Sequence, residues 1–158
     1  MGLAITARDP GSKPGIVQLD DAGRLLRATH RDDVALQWPD APLVATEGQW
    51  WFAHKKKGQQ VDPNRLFVLA RESGWGLRPY RSTSGRYLFL LPEVWRKVAG
   101  RVEKEQVQRQ ILRTLSTEER KLFADIPKSR HGDVLDAIGI GRGALHWAPL
   151  TKKYDWPK

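Results

Sequence analysis

The chain has 158 residues, enough for one domain built around a single sizeable core. Its 27 Lys and Arg against 18 Asp and Glu give a net charge of +9, which favours a polyanionic partner: nucleic acid or an acidic membrane surface. The absence of cysteine excludes disulfides, thiolate metal sites and thiol nucleophiles.

From the first residue, Met1-Gly2-Leu3-Ala4-Ile5-Thr6 fits a myristoylation pattern, but the same residues read better as a buried strand, which would hide the glycine. The start lacks the charged and apolar regions of a signal peptide. No apolar run approaches the roughly 20 residues that cross a bilayer. A soluble, cytoplasmic protein is the expectation. Leu3-Ala4-Ile5-Thr6-Ala7-Arg8-Asp9 is an apolar run stopped by Pro10-Gly11-Ser12, hence a core strand ending at a turn. Residues 15–19 form a second strand, and Asp20-Asp21-Ala22-Gly23 is a hairpin signal before a third at 24–29. Residues 32–38 suit a short helix before Pro39, and Leu43-Val44-Ala45-Thr46-Glu47 is a fourth strand that again ends on an acid.

Asp62-Pro63 reads as a cap and first helical residue, with Leu66, Phe67, Leu69 and Ala70 forming an apolar stripe up to Gly74. A fifth strand is expected at 75–80, followed by a flexible basic loop around Ser82-Thr83-Ser84-Gly85. Helices are expected at 92–98 and 103–115, the latter with Val107, Ile111 and Leu115 on one face. Another starts near Ser116-Thr117, and a last one spans 132–144. No repeat, low-complexity tract or linker interrupts this order. The fold class is therefore α/β, a mixed five-stranded sheet flanked by helices, with a domain over 1–146 and a basic tail over 147–158.

The acids carry the chemistry. If the first and fourth strands are parallel neighbours, Asp9 and Glu47 project side by side from the carboxyl edge of the sheet. Asp133 and Asp136, three apart, share a face of the last helix. Packing that helix over the edge would gather four carboxylates. Two like charges at 4 Å repel by about 4 kcal/mol at an effective dielectric near 20. Protonation or a divalent cation must relieve that repulsion. An all-oxygen donor set points to Mg²⁺ or Mn²⁺, and a pair of such ions suits phosphodiester hydrolysis by water. Each acid also has a plainer role. Asp9 suits a turn, Glu47 a solvated strand end, and the helical pair a favourable interaction with the helix dipole. The arrangement in chain order is what favours the cluster.

Three segments resemble the RuvC-type Holliday-junction resolvases of the RNase H-like superfamily. Asp9-Pro10-Gly11-Ser12 is similar to their first acidic strand-turn, and Ala45-Thr46-Glu47-Gly48-Gln49 to their fourth-strand motif. Asp133-Val134-Leu135-Asp136-Ala137 is similar to their C-terminal helix. The resemblance implies an RNase H-like fold, catalytic and metal-binding roles for Asp9, Glu47, Asp133 and Asp136, and use of two Mg²⁺ ions, with Mn²⁺ as a substitute. It implies a homodimer that presents two active sites to a four-way junction. Family members keep basic residues ahead of the last acids, and Lys97 and Lys104 are the nearest matches, Lys104 the better placed. Residues 83–98 do not align, and the segment between the third and fourth strands is short. The chain looks like a compact, divergent, phage-type member.

Past Glu47, Trp50, Trp51 and Phe52 offer base-stacking surfaces, and Lys55, Lys56 and Lys57 offer phosphate contacts. The family wedges junctions open with an aromatic here, a role that falls to Trp50 or Trp51. Arg78 and Arg81 are further candidates for the nucleic-acid backbone. Rival readings are an RNase H-like nuclease for RNA or RNA/DNA hybrid, and a branched-DNA binder without catalysis. An acetate/sugar-kinase fold also opens on an acidic strand-turn but needs far more chain.

Overall fold

The structure, a computed structural model, describes residues 2–48, 74–100 and 103–148. Apolar alternation builds its sheet. In β1 (Leu3–Arg8), Ile5 and Ala7 face one side, while Thr6 and Arg8 face the other. β1 pairs antiparallel with β2 (Ile16–Asp20), and β2 pairs antiparallel with β3 (Leu25–Thr29). On its other side β1 pairs parallel with β4 (Ala41–Glu47), which pairs parallel with β5 (Ser82–Leu90). The sheet is thus mixed, five-stranded and ordered β3-β2-β1-β4-β5. A short helix α1 (Asp32–Ala35) joins β3 to β4.

After β5 come α2 (Pro92–Val98), α3 (Lys104–Thr114), α4 (Thr117–Lys121) and α5 (His131–Trp147). Ser116 caps α4 through a reciprocal capping box with Glu119. α5 is buried along 134–145 and packs on the sheet, its far side covered by α2 and α3. Two glycines allow the closest of these approaches. A Cβ at Gly139 would lie 2.4 Å from the ring of the fully buried Trp95 of α2, and one at Gly143 would lie 2.7 Å from its Cβ. Ile5, Ala7, Val17, Leu19, Leu43 and Ala45 complete this core from the sheet side. A smaller cluster of Ile16, Val44, Ala35, Leu77 and Tyr80 lies on the other face. Among the described residues, no helix is long and apolar enough to cross a membrane.

Two sequence expectations are corrected. Residues 75–80 are not a strand: 74–77 are helical and a turn follows. Leu77 and Tyr80, three apart, both enter the second core cluster, a spacing that suits a helical turn and defeats strand alternation. The expected loop at 82–85 instead opens β5. Pro42 of β4 has no N–H to give the ladder, and the register slips between Ala41↔Ser82 and Leu43↔Arg86. The Ser82 and Ser84 hydroxyls both donate to the Pro42 carbonyl, and Gly85 takes a φ of 72° within the irregularity. From Arg86 on, Leu88 and Leu90 turn to the core while Tyr87 and Phe89 face outward. Residues 62–73 of the expected helix lie outside the described residues, as do 149–158 of the expected tail. α5 itself runs through the 146/147 boundary to Trp147.

Candidate active site

Arg8 and Thr46 are partners in the parallel β1–β4 ladder, so the next residue in each chain, Asp9 and Glu47, reaches the carboxyl edge together. Alternation places both on the face that carries Ile5, Ala7, Leu43 and Ala45, the face that α5 covers. The Thr46 hydroxyl donates to the Arg8 carbonyl at 2.7 Å and closes the last rung between the strands. The turn beyond Asp9 is closed by the Asp9 amide donating to the Gly15 carbonyl at 2.8 Å. Gly15 then lies directly under the start of α5: a Cβ there would fall 2.2 Å from the Asp133 carbonyl oxygen. That contact brings the helical acids over the strand acids.

Asp136, Asp133 and Glu47 each have a polar side-chain partner. Asp136, 3% exposed, accepts from Gln108 Nε2 at 3.0 Å and pairs with Lys104 Nζ at 3.4 Å, both on α3. Asp133 accepts from Arg130 Nε at 3.0 Å, and Arg130 Nη2 donates to the Pro14 carbonyl at 3.0 Å. Glu47 accepts from the Trp95 indole at 2.9 Å. The Arg96 guanidinium lies over the Trp95 ring, 5.3 Å from its centroid.

The charges of these acids act on one another. Burial, then the charges of Asp136, Glu47 and Asp133, push the Asp9 carboxyl up to about 9. Burial raises Glu47, opposed by the Trp95 hydrogen bond and the Arg96 charge. Burial also raises Asp136, opposed by Gln108 and Lys104. The Asp136 charge, with Asp9 and Asp133 behind it, raises Lys104. A cluster that holds its proton this firmly is one that a cation would discharge. The donors fit Mg²⁺ or Mn²⁺ in kind, being carboxylate oxygens. Among the described residues, however, no group of three or more such donors is already gathered for an ion. Asp133 and Asp136 each face a basic side chain, and metal entry would have to draw them from it.

The sequence-derived candidates thus divide. Asp9, Glu47, Asp133, Asp136 and Lys104 come together. Lys97 is exposed on the last turn of α2, and Arg96 is the α2 cation whose charge reaches Glu47 and Asp136. Arg78 is exposed, with its guanidinium 5.9 Å from the centroid of the Trp75 ring. Arg81 precedes Ser82, the partner of Ala41 at the start of β4, so its backbone lies at the edge of the sheet opposite the acids. Trp50, Trp51, Phe52, Lys55, Lys56 and Lys57 lie outside the described residues. Sequence reasoning missed Trp95, Arg96, Gln108 and Arg130. Gln108 was within reach of it, four residues beyond Lys104 and so on the same helix face. Arg130 stands likewise three before Asp133. Trp95 lay in the segment that did not align.

A scan against protein-family models gives no match, and a search of curated proteins gives none at a significant level.

Proposed function

We propose that the chain is a metal-dependent endonuclease of RuvC type with an RNase H-like fold, cutting four-way junctions and related branched DNA. The observation that carries the reading is the β1–β4 register, which sets Asp9 and Glu47 side by side beneath the helix that bears Asp133 and Asp136. A mixed five-stranded sheet flanked by helices is the architecture that the resemblance implies, and the +9 charge suits a phosphate-rich substrate.

In this reading Asp9, Glu47, Asp133 and Asp136 hold Mg²⁺ or Mn²⁺, two ions per site. The chemistry such ions would supply there is activation of a water and stabilisation of the departing 3′ oxygen. The protein's own part is to hold the carboxylates at the edge. Trp95 fixes one oxygen of Glu47 and Gln108 one oxygen of Asp136. Lys104 supplies a positive charge for the scissile phosphate. Two sites act on opposite strands when the chain pairs as a homodimer. The ion pairs on Asp133 and Asp136 favour one alternative, a branched-DNA binder whose acids stay neutralised by Arg130 and Lys104.

The test is a panel of labelled four-way junction, matched duplex and RNA/DNA hybrid, with Mg²⁺, Mn²⁺ or EDTA, and Asp9→Asn alongside. Paired nicks in the junction, absent in EDTA and in the variant, support the nuclease. Tight junction binding without cutting selects the binder. Preferred cutting of the hybrid moves the enzyme to RNA-directed hydrolysis.

A further inference from the structure

Arg8 precedes the first acid, and its side chain lies on the opposite face of the sheet. It is only 5% exposed. Its Nε and Nη2 donate to the two oxygens of Asp32 in α1, each at 2.9 Å, and Nη2 also donates to the Gly11 carbonyl at 3.2 Å. Asp32 accepts as well from the Tyr80 hydroxyl. Burial works against both charges, yet the Arg8 fork and the Tyr80 hydrogen bond together outweigh it and keep Asp32 below the usual carboxylate range. Among the described residues, the third nitrogen, Nη1, is buried with no hydrogen-bond partner. It presses instead on Gly76, where a Cβ would fall 2.2 Å from it.

Replacing Arg8 and Asp32 together by apolar side chains could serve stability as well, because buried ion pairs are often matched by such replacements, whereas removing one partner alone strands the charge of the other. What such a double replacement could not do is hold the Gly11 carbonyl. Residue 8 is the last of β1 in both ladders, paired with Ile16 on one side and Thr46 on the other. The next residue leaves the sheet. The segment from Asp9 to Gly15 is then held at three points: the Asp9 amide on Gly15, Arg130 on Pro14, and Arg8 on Gly11. Gly11 has a φ of 117°, so this is a turn whose shape rests on its fastenings.

We propose that Arg8 is a positioning residue for Asp9: it fixes the Asp9–Gly11 turn from the far side of the sheet, and Gly76 is the residue that leaves the guanidinium room to do so. The role assigned to Asp9 rests on the nuclease reading; the fastening of the turn does not. Arg8→Lys loses the fork, Asp32→Asn removes its charge, and Gly76→Ala displaces the guanidinium without touching either partner.

The experiment is NMR-detected hydrogen exchange of the Asp9 amide in the full chain, with amides of β2 and β4 as internal references. A Mn²⁺ titration of the same samples follows. In all three variants the Asp9 amide exchanges on the order of tenfold faster while the reference strands keep their protection. Mn²⁺ affinity falls by about the same factor, a change that loss of global stability alone would not produce in a folded sample. If the Asp9 amide exchanges as in the parent chain, or if all strands loosen together, the proposal is overturned. Failure of the nuclease reading looks different: the parent chain takes up no Mn²⁺, while the exchange result still decides whether Arg8 fixes the turn. Should Arg8→Lys not fold, Gly76→Ala and Asp32→Asn carry the same comparison.

Discussion

The Trp95 indole donates to Glu47 Oε2 at 2.9 Å, and the same residue is seated against the helix that bears Asp133 and Asp136, its ring on Gly139 and its Cβ on Gly143. One buried side chain therefore ties a strand-borne acid to the helix that carries the other pair. Any change in how α2 packs on α5 is felt at Glu47.

Trp95→Phe keeps most of the ring volume and removes the donor. Glu47 then loses a partner in a largely desolvated place, which costs about 1–3 kcal/mol. Urea denaturation should show that loss. Junction cleavage should fall further than stability does, since Glu47 loses the hydrogen bond that orients Oε2.

Gly143→Ala tests the packing from the other side. The added methyl group would sit 2.7 Å from Trp95 Cβ, so α2 must shift outward. Overpacking of this kind costs about 1–3 kcal/mol. A drop in the urea midpoint with an unchanged slope is the expected result.

Much of this arrangement was legible in the sequence. The alternation of β1 and β4 and the acids at their ends implied a shared edge, and the register bears out that juxtaposition. The start of α4 was legible to within a residue, with Ser116 or Thr117 as its cap, because capping signals are local; the structure selects Ser116. β5 was not, since Ser-Thr-Ser-Gly is loop-like composition and its place depends on the distant Pro42 carbonyl. Nor was Arg8: a lone charge in an apolar strand does not announce that Asp32, 24 residues later, will bury beside it. Trp95 stayed silent for the same reason, because its partner Glu47 is 48 residues away.

The cation-free protein should lose stability as pH rises. The folded chain holds a proton on Asp9 up to about pH 9, whereas the unfolded chain releases it at an ordinary carboxyl value near 4. Between those limits the native state binds more protons than the unfolded state, so the stability from protonated Asp9 is whole below about pH 4 and drains away towards pH 9. Glu47 and Asp136, also raised, add to the same slope at its acid end. Melting temperatures measured in EDTA should decline across this window, and Asp9→Asn should flatten the decline.

Lys104→Met removes the ammonium 3.4 Å from Asp136 and, in the nuclease reading, the charge offered to the phosphate. Loss of one such electrostatic contact lowers kcat by about a hundredfold. Single-turnover cleavage of a junction should show that loss, while junction binding weakens only slightly. An equal loss in binding and cleavage would assign Lys104 to docking alone.

The most direct test of the central claim is calorimetric titration of the chain with Mn²⁺ at pH 7, in two buffers of different ionisation enthalpy. Asp9→Asn and the exposed-acid control Asp33→Asn are run beside it. The four-carboxylate centre predicts two ions per chain, release of a proton on binding, loss of binding in Asp9→Asn and none in Asp33→Asn. Absence of binding in the parent chain, or binding that survives Asp9→Asn unchanged, would contradict it.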